Sequence, residues 1–298
     1  MARRRFALGG RKTLRFSSGM HSALRFSLMT GLLATSVVLV APRAHAQTLV
    51  GYYNFNQTGS PITDQASVAA DMAAVGSPSY NQSAIPGQSF GATASLNGSS
   101  YWSTSGSGAL EYTTLTNDFS VMAWINIPST VGVANHSTVI FGTNAGNGWA
   151  IGFQGLEQGA TQGQPYYVNY GIAAFDLGAA SSASLLPTNT WVNLAITKSS
   201  TAGLTFYLNG QVVGIIAGAT GAATQSATNN WYIGNGGDLA RQFVGSIDEL
   251  RIYNGVLNQA QIQSISAVPE PSTYAALAGL AALGLVIARR RTARARTA

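Results

Sequence analysis

The chain has 298 residues, 46% apolar and only 9% charged, with 34 glycines and no cysteine. This excludes a disulfide framework, a thiolate metal site and a cysteine nucleophile, and so high an apolar fraction is not that of a disordered chain. The formal charge of +6 is unevenly placed: eight of the 16 Lys/Arg precede residue 47 and five follow residue 288, while 47–268 holds three basic residues against nine acidic ones. A middle region with a net charge of −6 offers no basic footprint for nucleic acid.

The N-terminus reads as an address. Arg3, Arg4, Arg5, Arg11, Lys12, Arg15 and Arg25 precede a short apolar run over 28–40, and Ala44-His45-Ala46 stands before Gln47. A basic region, a short apolar core and a small-x-small triplet are the parts of a secretory signal peptide over 1–46, cleaved between Ala46 and Gln47. The run is too short for a transmembrane anchor, which needs roughly 20 apolar residues. Met20 is an alternative start that would give a signal of more ordinary length.

The middle region, 47–268, predicts one all-β sandwich. Runs rich in Val, Ile, Thr and aromatics recur between Gly/Asn/Ser clusters, at 48–55, 118–127, 137–142, 149–153, 166–172, 190–198, 203–208, 211–216 and 242–253. Such spacing favours packed antiparallel sheets over alternating β and α units. Val192, Leu194 and Ile196 fall on one face of their strand, and Asn193 and Thr197 on the other. Asn209-Gly210 can supply the two positive-φ positions of a type I′ hairpin turn. Strand 118–127 is apolar on both faces, as a central strand would be. One helix is expected over 257–265, with Asn258 as its N-cap. The segments 56–84 and 217–229 read as surface loops.

At the C-terminus, Pro269-Glu270-Pro271 precedes an apolar run over 274–288, and Arg289-Arg290-Arg291 follow. Fifteen helical residues reach about 22 Å, short of a hydrocarbon core of about 30 Å, and the arginines would stay on the cytoplasmic side. This order of parts, over 268–298, resembles the PEP-CTERM sorting signal of Gram-negative bacteria. The resemblance implies a short membrane helix, transient anchoring in the inner membrane, recognition of the Pro-Glu-Pro motif by an exosortase-type enzyme, and onward export to the cell surface or beyond.

The segments LVGYYNFNQTGSPITDQA (49–66), ATASLNGSSYW (92–102), DFSVMAWINI (118–127), WVNLAITKSSTAGLTFYLNGQVVG (191–214) and WYIGN…FVGSIDELRIYNGVLNQAQIQSI (231–265) resemble, in order, the blocks of the LamG-like, concanavalin A-like jelly roll. That family implies a two-sheet antiparallel sandwich with Trp124 and Trp191 in its core. It also implies a structural Ca²⁺ near the first and last strands, for which Asp64, Asn97 and Asp248 are the candidate ligands; hard oxygen donors suit that ion. The alternative for Asp248 is a hydrogen bond to a neighbouring loop.

Catalytic residues are not evident. His136 stands alone in the middle region, and Asp248 and Glu249, adjacent in a strand, are expected to face opposite sides of the sheet. Trp149 and Trp231 fit strand patterns. Trp102 and the cluster Tyr166, Tyr167 and Tyr170 are therefore the candidate ligand contacts, since sugar C–H faces stack on aromatic rings. The leading reading is an exported protein with a binding or adhesion domain in a glycan-rich extracellular matrix. A polysaccharide-active enzyme and a ligand-free structural coat protein are the alternatives.

Overall fold

The computed structural model describes residues 47–66, 70–88, 90–104, 112, 115–129, 137–143, 148–155, 162–170, 176–177, 186–223, 230–237 and 240–266. The expected signal peptide, the sorting segment from 267 onward and His136 lie outside them. Among the described residues no helix is long and apolar enough to cross a membrane; the run 274–288 is not among these residues.

Among the described residues there are fifteen strands and one helix. In chain order they are β1 (Thr48–Tyr53), β2 (Ala73–Val75), β3 (Ser79–Gln82), β4 (Thr93–Asn97), β5 (Tyr101–Ser103), β6 (Phe119–Asn126), β7 (Thr138–Thr143) and β8 (Gly148–Phe153). There follow β9 (Pro165–Tyr170), β10 (Asp176–Leu177), β11 (Val192–Ser199), β12 (Gly203–Leu208), β13 (Gln211–Ile216), β14 (Trp231–Ile233), β15 (Val244–Asn254) and α1 (Gln259–Ser266). They form two antiparallel sheets. One runs β13-β12-β11-β6-β15-β4-β3, with β1 beside the second half of β15; the other runs β10-β9-β8-β7-β14-β5-β2. The all-β sandwich expected from the strand spacing is thus the observed fold.

Alternation decides what lies between the sheets. Val192, Leu194 and Ile196 of β11 and Phe119, Val121, Ala123 and Ile125 of β6 all enter the main core. There Phe119 stacks on Trp149 at 4.4 Å and Phe141 on Trp231 at 5.2 Å, and the two indoles meet edge to face at 5.1 Å. Such pairs add about 0.5–1.5 kcal/mol beyond the area they bury. β7 and β8 approach closely at Gly152, where a Cβ would stand 1.7 Å from the Thr138 carbonyl oxygen.

The hairpin between β12 and β13 turns on Asn209 and Gly210, both at positive φ (50° and 73°), as a type I′ turn requires. α1 begins as expected: Asn258 Oδ1 accepts from the Gln261 N–H at 2.9 Å and Gln261 Oε1 accepts from the Asn258 N–H at 2.9 Å, a reciprocal capping box. The helix lies on the outer face of the larger sheet, where Ile262 and Leu257 join Met122, Ala195 and Tyr207 in a second, smaller apolar cluster.

Three expectations need correction. The segment 56–84 is not all loop, since β2 and β3 occur in it as short edge strands, mostly exposed. Trp191 precedes β11 and is only half-buried, rather than part of the core. Trp124 is buried, but not between the sheets: it lies on the outer face with Met122, because Phe119, Val121, Ala123 and Ile125 take the inner one.

Candidate functional site

The outer face of the larger sheet carries a row of polar groups at its centre. Trp124 of β6 lies opposite Asn193 of β11 on one side and Asp248 of β15 on the other. Asn209 extends the row: its Oδ1 accepts from the Asn193 N–H at 2.9 Å, and its own N–H donates to the Asn193 carbonyl at 2.8 Å. Trp124, Asn193 and Asp248 are 8%, 1% and 0% exposed, yet Trp124 Nε1, Asn193 Oδ1 and Asp248 Oδ2 have no hydrogen-bond partner among the described residues. A buried polar atom left without a partner costs about 1–3 kcal/mol. Gln88 Oε1, in the loop above Trp124, is unpartnered as well. Gln88, Trp124, Asn209, Gln211, Gln263 and Ser266 line an open pocket of ≈ 260 Å³ between the sheet and α1. None of these six described residues is charged.

The pairing of β15 with β6 slips by one residue between Asp248 and Arg251, and Glu249 adopts a φ of 54°. This bulge corrects the simple alternation expected for Asp248 and Glu249. Asp248 stands opposite Trp124, Leu250 enters the core, and the Glu249 carboxylate reaches the face that carries Tyr52 and Arg251. There the Tyr52 hydroxyl donates to Glu249 Oε1 and Oε2 at 2.8 and 3.0 Å, Arg251 Nη2 pairs with Oε2, and the guanidinium lies 4.5 Å from the centre of the Tyr52 ring. Burial, and then the Glu249 carboxylate, push the Tyr52 phenol up to about 12. Burial also raises Glu249, opposed by Arg251. Asp248 is pushed up to about 8, first by burial and next by the Glu249 charge, so its carboxyl is neutral at pH 7. Its Oδ1 accepts from the Glu249 N–H at 2.8 Å, a bond within its own strand rather than to a neighbouring loop.

The three proposed calcium ligands are not brought together. Asn97 pairs with Val244, four positions before Asp248, which at about 3.3 Å per residue places them roughly 13 Å apart. Asn97 is exposed, and its Oδ1 accepts from the Ser99 N–H, Ser99 Oγ and Ser100 Oγ, so it holds a turn. The charges acting on Asp248 are those of Glu249 and Arg251, not Asp64. Asp64 instead stitches its loop to β1: Oδ1 accepts from the N–H groups of Tyr52 and Ala66 at 2.7 and 2.8 Å. Ala70 adds a third backbone hydrogen bond to this carboxylate, and Asp71 Oδ1 accepts from the Asp64 N–H at 3.0 Å. Among the described residues no group of three His, Cys, Asp or Glu is placed to hold a metal ion. A shared site for Asp64, Asn97 and Asp248 therefore does not fit.

The aromatic candidates are also corrected. Trp102 is fully buried, with Nε1 donating to the Tyr80 hydroxyl at 3.0 Å, and Tyr166 and Tyr167 are each 1% exposed. Trp102 and Tyr167 pack in the main core, whereas Tyr166, the neighbouring residue of β9, packs on the other face with Val139, Ala150 and Val168 in a separate small cluster. The Tyr170 side chain lies outside the described residues. The indole beside a pocket is Trp124, which the sequence pattern could not single out because β6 is apolar on both faces.

The family model described as the concanavalin A-like lectin/glucanases superfamily matches residues 96–263. The chain belongs to that superfamily. A second model, the PEP-CTERM protein-sorting motif, matches 267–291, a span that contains Pro269, Glu270, Pro271 and Arg289–Arg291. No curated protein matches the chain. Among solved structures, this concanavalin A-like domain is similar to domain 4 of AbnA, a GH43 extracellular arabinanase from Geobacillus stearothermophilus, in complex with arabinotriose. Identity is 21%, the match covers 74% of this chain and 99% of that one, and the TM-score is 0.55. It is also similar to the receptor binding domain of botulinum neurotoxin mosaic serotype C/D (13% identity, 74% and 50% coverage, TM-score 0.49). A Trypanosoma rangeli sialidase in complex with the inhibitor DANA matches at 18% identity, with 73% and 32% coverage and a TM-score of 0.45. The chain thus spans about a third of the sialidase and half of the neurotoxin chain. At these identities the likeness concerns the fold. The sorting motif implies processing by an exosortase-type enzyme, and with it export and membrane sorting in a Gram-negative cell.

Proposed function

We propose that this exosortase substrate is released to the cell surface or extracellular matrix, where its concanavalin A-like domain binds polysaccharide without catalysis. The observation that carries the binding reading is the outer face of the larger sheet, which pairs an indole and neutral amides with a pocket. The arabinotriose bound to the arabinanase domain is a neutral oligosaccharide of the kind such a face suits. Against catalysis stands the state of two carboxylates on that face: Glu249 is engaged by Arg251 and Tyr52, and Asp248 is enclosed. A glycan array probed with the exported form tests this. Retention of matrix glycans without their cleavage is expected, and an array without any retained glycan would overturn the binding reading.

One observation favours the enzymatic alternative. The bulge puts both carboxylates on the non-core side, and a carboxyl held neutral near pH 7 is what a general acid needs. Glycan turnover that disappears in Glu249→Gln would establish that alternative.

The exported form should be cut near Pro269-Glu270-Pro271 and lack residues 272–298. Mass spectrometry of protein recovered from the native cell surface reads this directly, and a C-terminus at Ala298 would make the segment a plain anchor.

A further inference from the structure

Among the described residues three large apolar side chains are exposed: Val75 on β2, and Val212 and Ile215 on β13, at 40%, 41% and 57%. Simple alternation would send Val212 and Ile215, three positions apart, to opposite faces of the sheet. The pairing of β13 with β12 slips at Val213 instead, so that Val212 stands opposite Tyr207 and Ile215 opposite Thr205. Tyr207 belongs to the apolar cluster under α1, and Thr205, two positions earlier on β12, shares its face. Both exposed side chains therefore lie on the outer face, the one that carries α1. Gly214 and Ile216 stand opposite Phe206 and Leu204 of the core. β13 is the edge strand of its sheet, and β12, β13 and the turn between them contain no charged residue.

The chain leaves the domain beside this patch. Gln259 Nε2 and Gln263 Nε2 both donate to the Gly210 carbonyl at 3.1 Å, and Ser266, the last residue of α1, lines the same pocket as Asn209 and Gln211. Val212 follows Gln211 directly, and Ile215 stands three positions further, roughly 10 Å along the strand. Seven residues, 267–273, separate Ser266 from the apolar run over 274–288. Fully extended, such a stretch reaches at most about 25 Å, close to the length of one eight-residue strand of the domain. A domain held in a bilayer by that run presents its α1 side to the surface, because no remoter side is within reach.

Two occupants of the edge can be compared. A second copy would have to continue the sheet, and the bulge at Val213 interrupts the regular ladder that strand pairing needs. A lipid surface needs no ladder. It takes up apolar side chains at the headgroup boundary, and uncharged surroundings spare it the desolvation of ions. The region 47–268 has a net charge of −6 and is repelled by anionic headgroups, so an uncharged edge is where it approaches them at least cost.

We propose that Val212 and Ile215 form a lipid-contact edge, which rests on the bilayer surface while the chain is anchored through 274–288 and leaves it when the anchor is cut. This rests on the membrane sorting that the PEP-CTERM motif implies, and it adds the orientation of the anchored domain. Two apolar side chains are too few to hold a folded domain on a membrane by themselves; the short tether supplies the effective concentration.

The chain has no cysteine, so a single introduced thiol reports on one position. Ile215→Cys, and Val75→Cys at the edge of the smaller sheet as the control, are labelled with bimane in the full chain. Each is reconstituted into phosphatidylethanolamine/phosphatidylglycerol vesicles that carry a nitroxide lipid in the headgroup region, and flotation confirms anchoring. The label at 215 should be quenched several-fold more than the label at 75. Adding Val212→Asp should remove most of that excess with unchanged melting temperature, since Val212 is exposed. The processed protein recovered from the native host, labelled at 215 and mixed with the same vesicles, should show no excess. Equal quenching at 215 and 75 in chains that float would overturn the lipid contact and leave the anchoring intact. Chains that do not float would overturn the anchoring and the contact with it. Weak quenching at 215 together with disulfide-linked dimers of the unlabelled Ile215→Cys chain would give the edge to a second copy and overturn the lipid contact.

Discussion

The two faces of the larger sheet solve the same problem differently. Between the sheets, indoles are surrounded by rings and their N–H groups are satisfied: Trp149 Nε1 donates to the Leu115 carbonyl and Trp102 Nε1 to the Tyr80 hydroxyl. On the outer face, Trp124 is almost as buried, but its N–H and the polar atoms on either side of it are left unmade. The inner face is a dry core held by packing. The outer one keeps polar groups enclosed at a cost to stability, and such costs collect where a surface has something to bind.

The sharpest way to break this comparison is to empty one site on the dry side. Trp149 is fully buried against Phe119, Phe141 and Trp231, so Trp149→Ala should cost about 3–5 kcal/mol in urea unfolding. A loss below about 1 kcal/mol would mean that the ring stack is not the core of the sandwich.

On the outer face the expected damage is electrostatic. The Glu249 side chain is 1% exposed and depends on Arg251 for its compensating charge. Arg251→Met should destabilise by about 3 kcal/mol, since it leaves a buried carboxylate unpaired. The double variant with Glu249→Gln should recover most of that loss. Equal destabilisation in the single and double variants would show that Arg251 acts by covering the Tyr52 ring instead.

The same face should make stability depend on pH. Asp248 titrates near 8 in the folded protein and near the ordinary carboxylate value when unfolded. Between about pH 4 and 8 the folded chain therefore holds a proton that the unfolded chain has lost. The stability from this group is complete below about pH 4 and falls as pH rises to about 8, by at most about 1.4 kcal/mol per pH unit. Glu249 and Asp64, also raised by burial, add to the fall. Asp248→Asn isolates one contribution: its stability should decline less than wild type over that window. Parallel curves would mean that Asp248 stays ionised in the fold.

How much of this was legible beforehand follows from which residues carry a period. The alternation of Val192, Leu194 and Ile196, the Asn209-Gly210 turn and the Asn258 cap all lie in strong local patterns, and each element formed as expected. β2 and β3 are short, mostly exposed edge strands, so they lack the period-two signal that marks a half-buried strand. The bulge at Glu249 places a residue other than glycine at positive φ, for which no side-chain signature exists. Trp124 sits in a strand apolar on both faces, so period alone leaves its side undecided. The site was illegible for the same reason: its walls come from the Gln88 loop, three strands or turns and α1, and only the fold assembles them.

Trp191 gives the smallest effect and the sharpest distinction between family pattern and packing. Its place at the head of the β11 block resembles a core position of the family, and by that reading its removal would cost as much as that of Trp149. In the structure it precedes the first paired residue of β11 and is half-buried, whereas the next residue, Val192, is 3% exposed and inside. An indole with much of its surface already in water loses only a fraction of its transfer free energy when truncated, and little cavity is left behind. Trp191→Ala should therefore cost about 1 kcal/mol, several-fold less than Trp149→Ala under the same conditions. A loss equal to that of Trp149→Ala would place Trp191 in the interior and restore the family reading. With the smaller loss, Trp191 is a rim residue, and Trp124 and Trp149 remain the indoles that define the outer and inner faces.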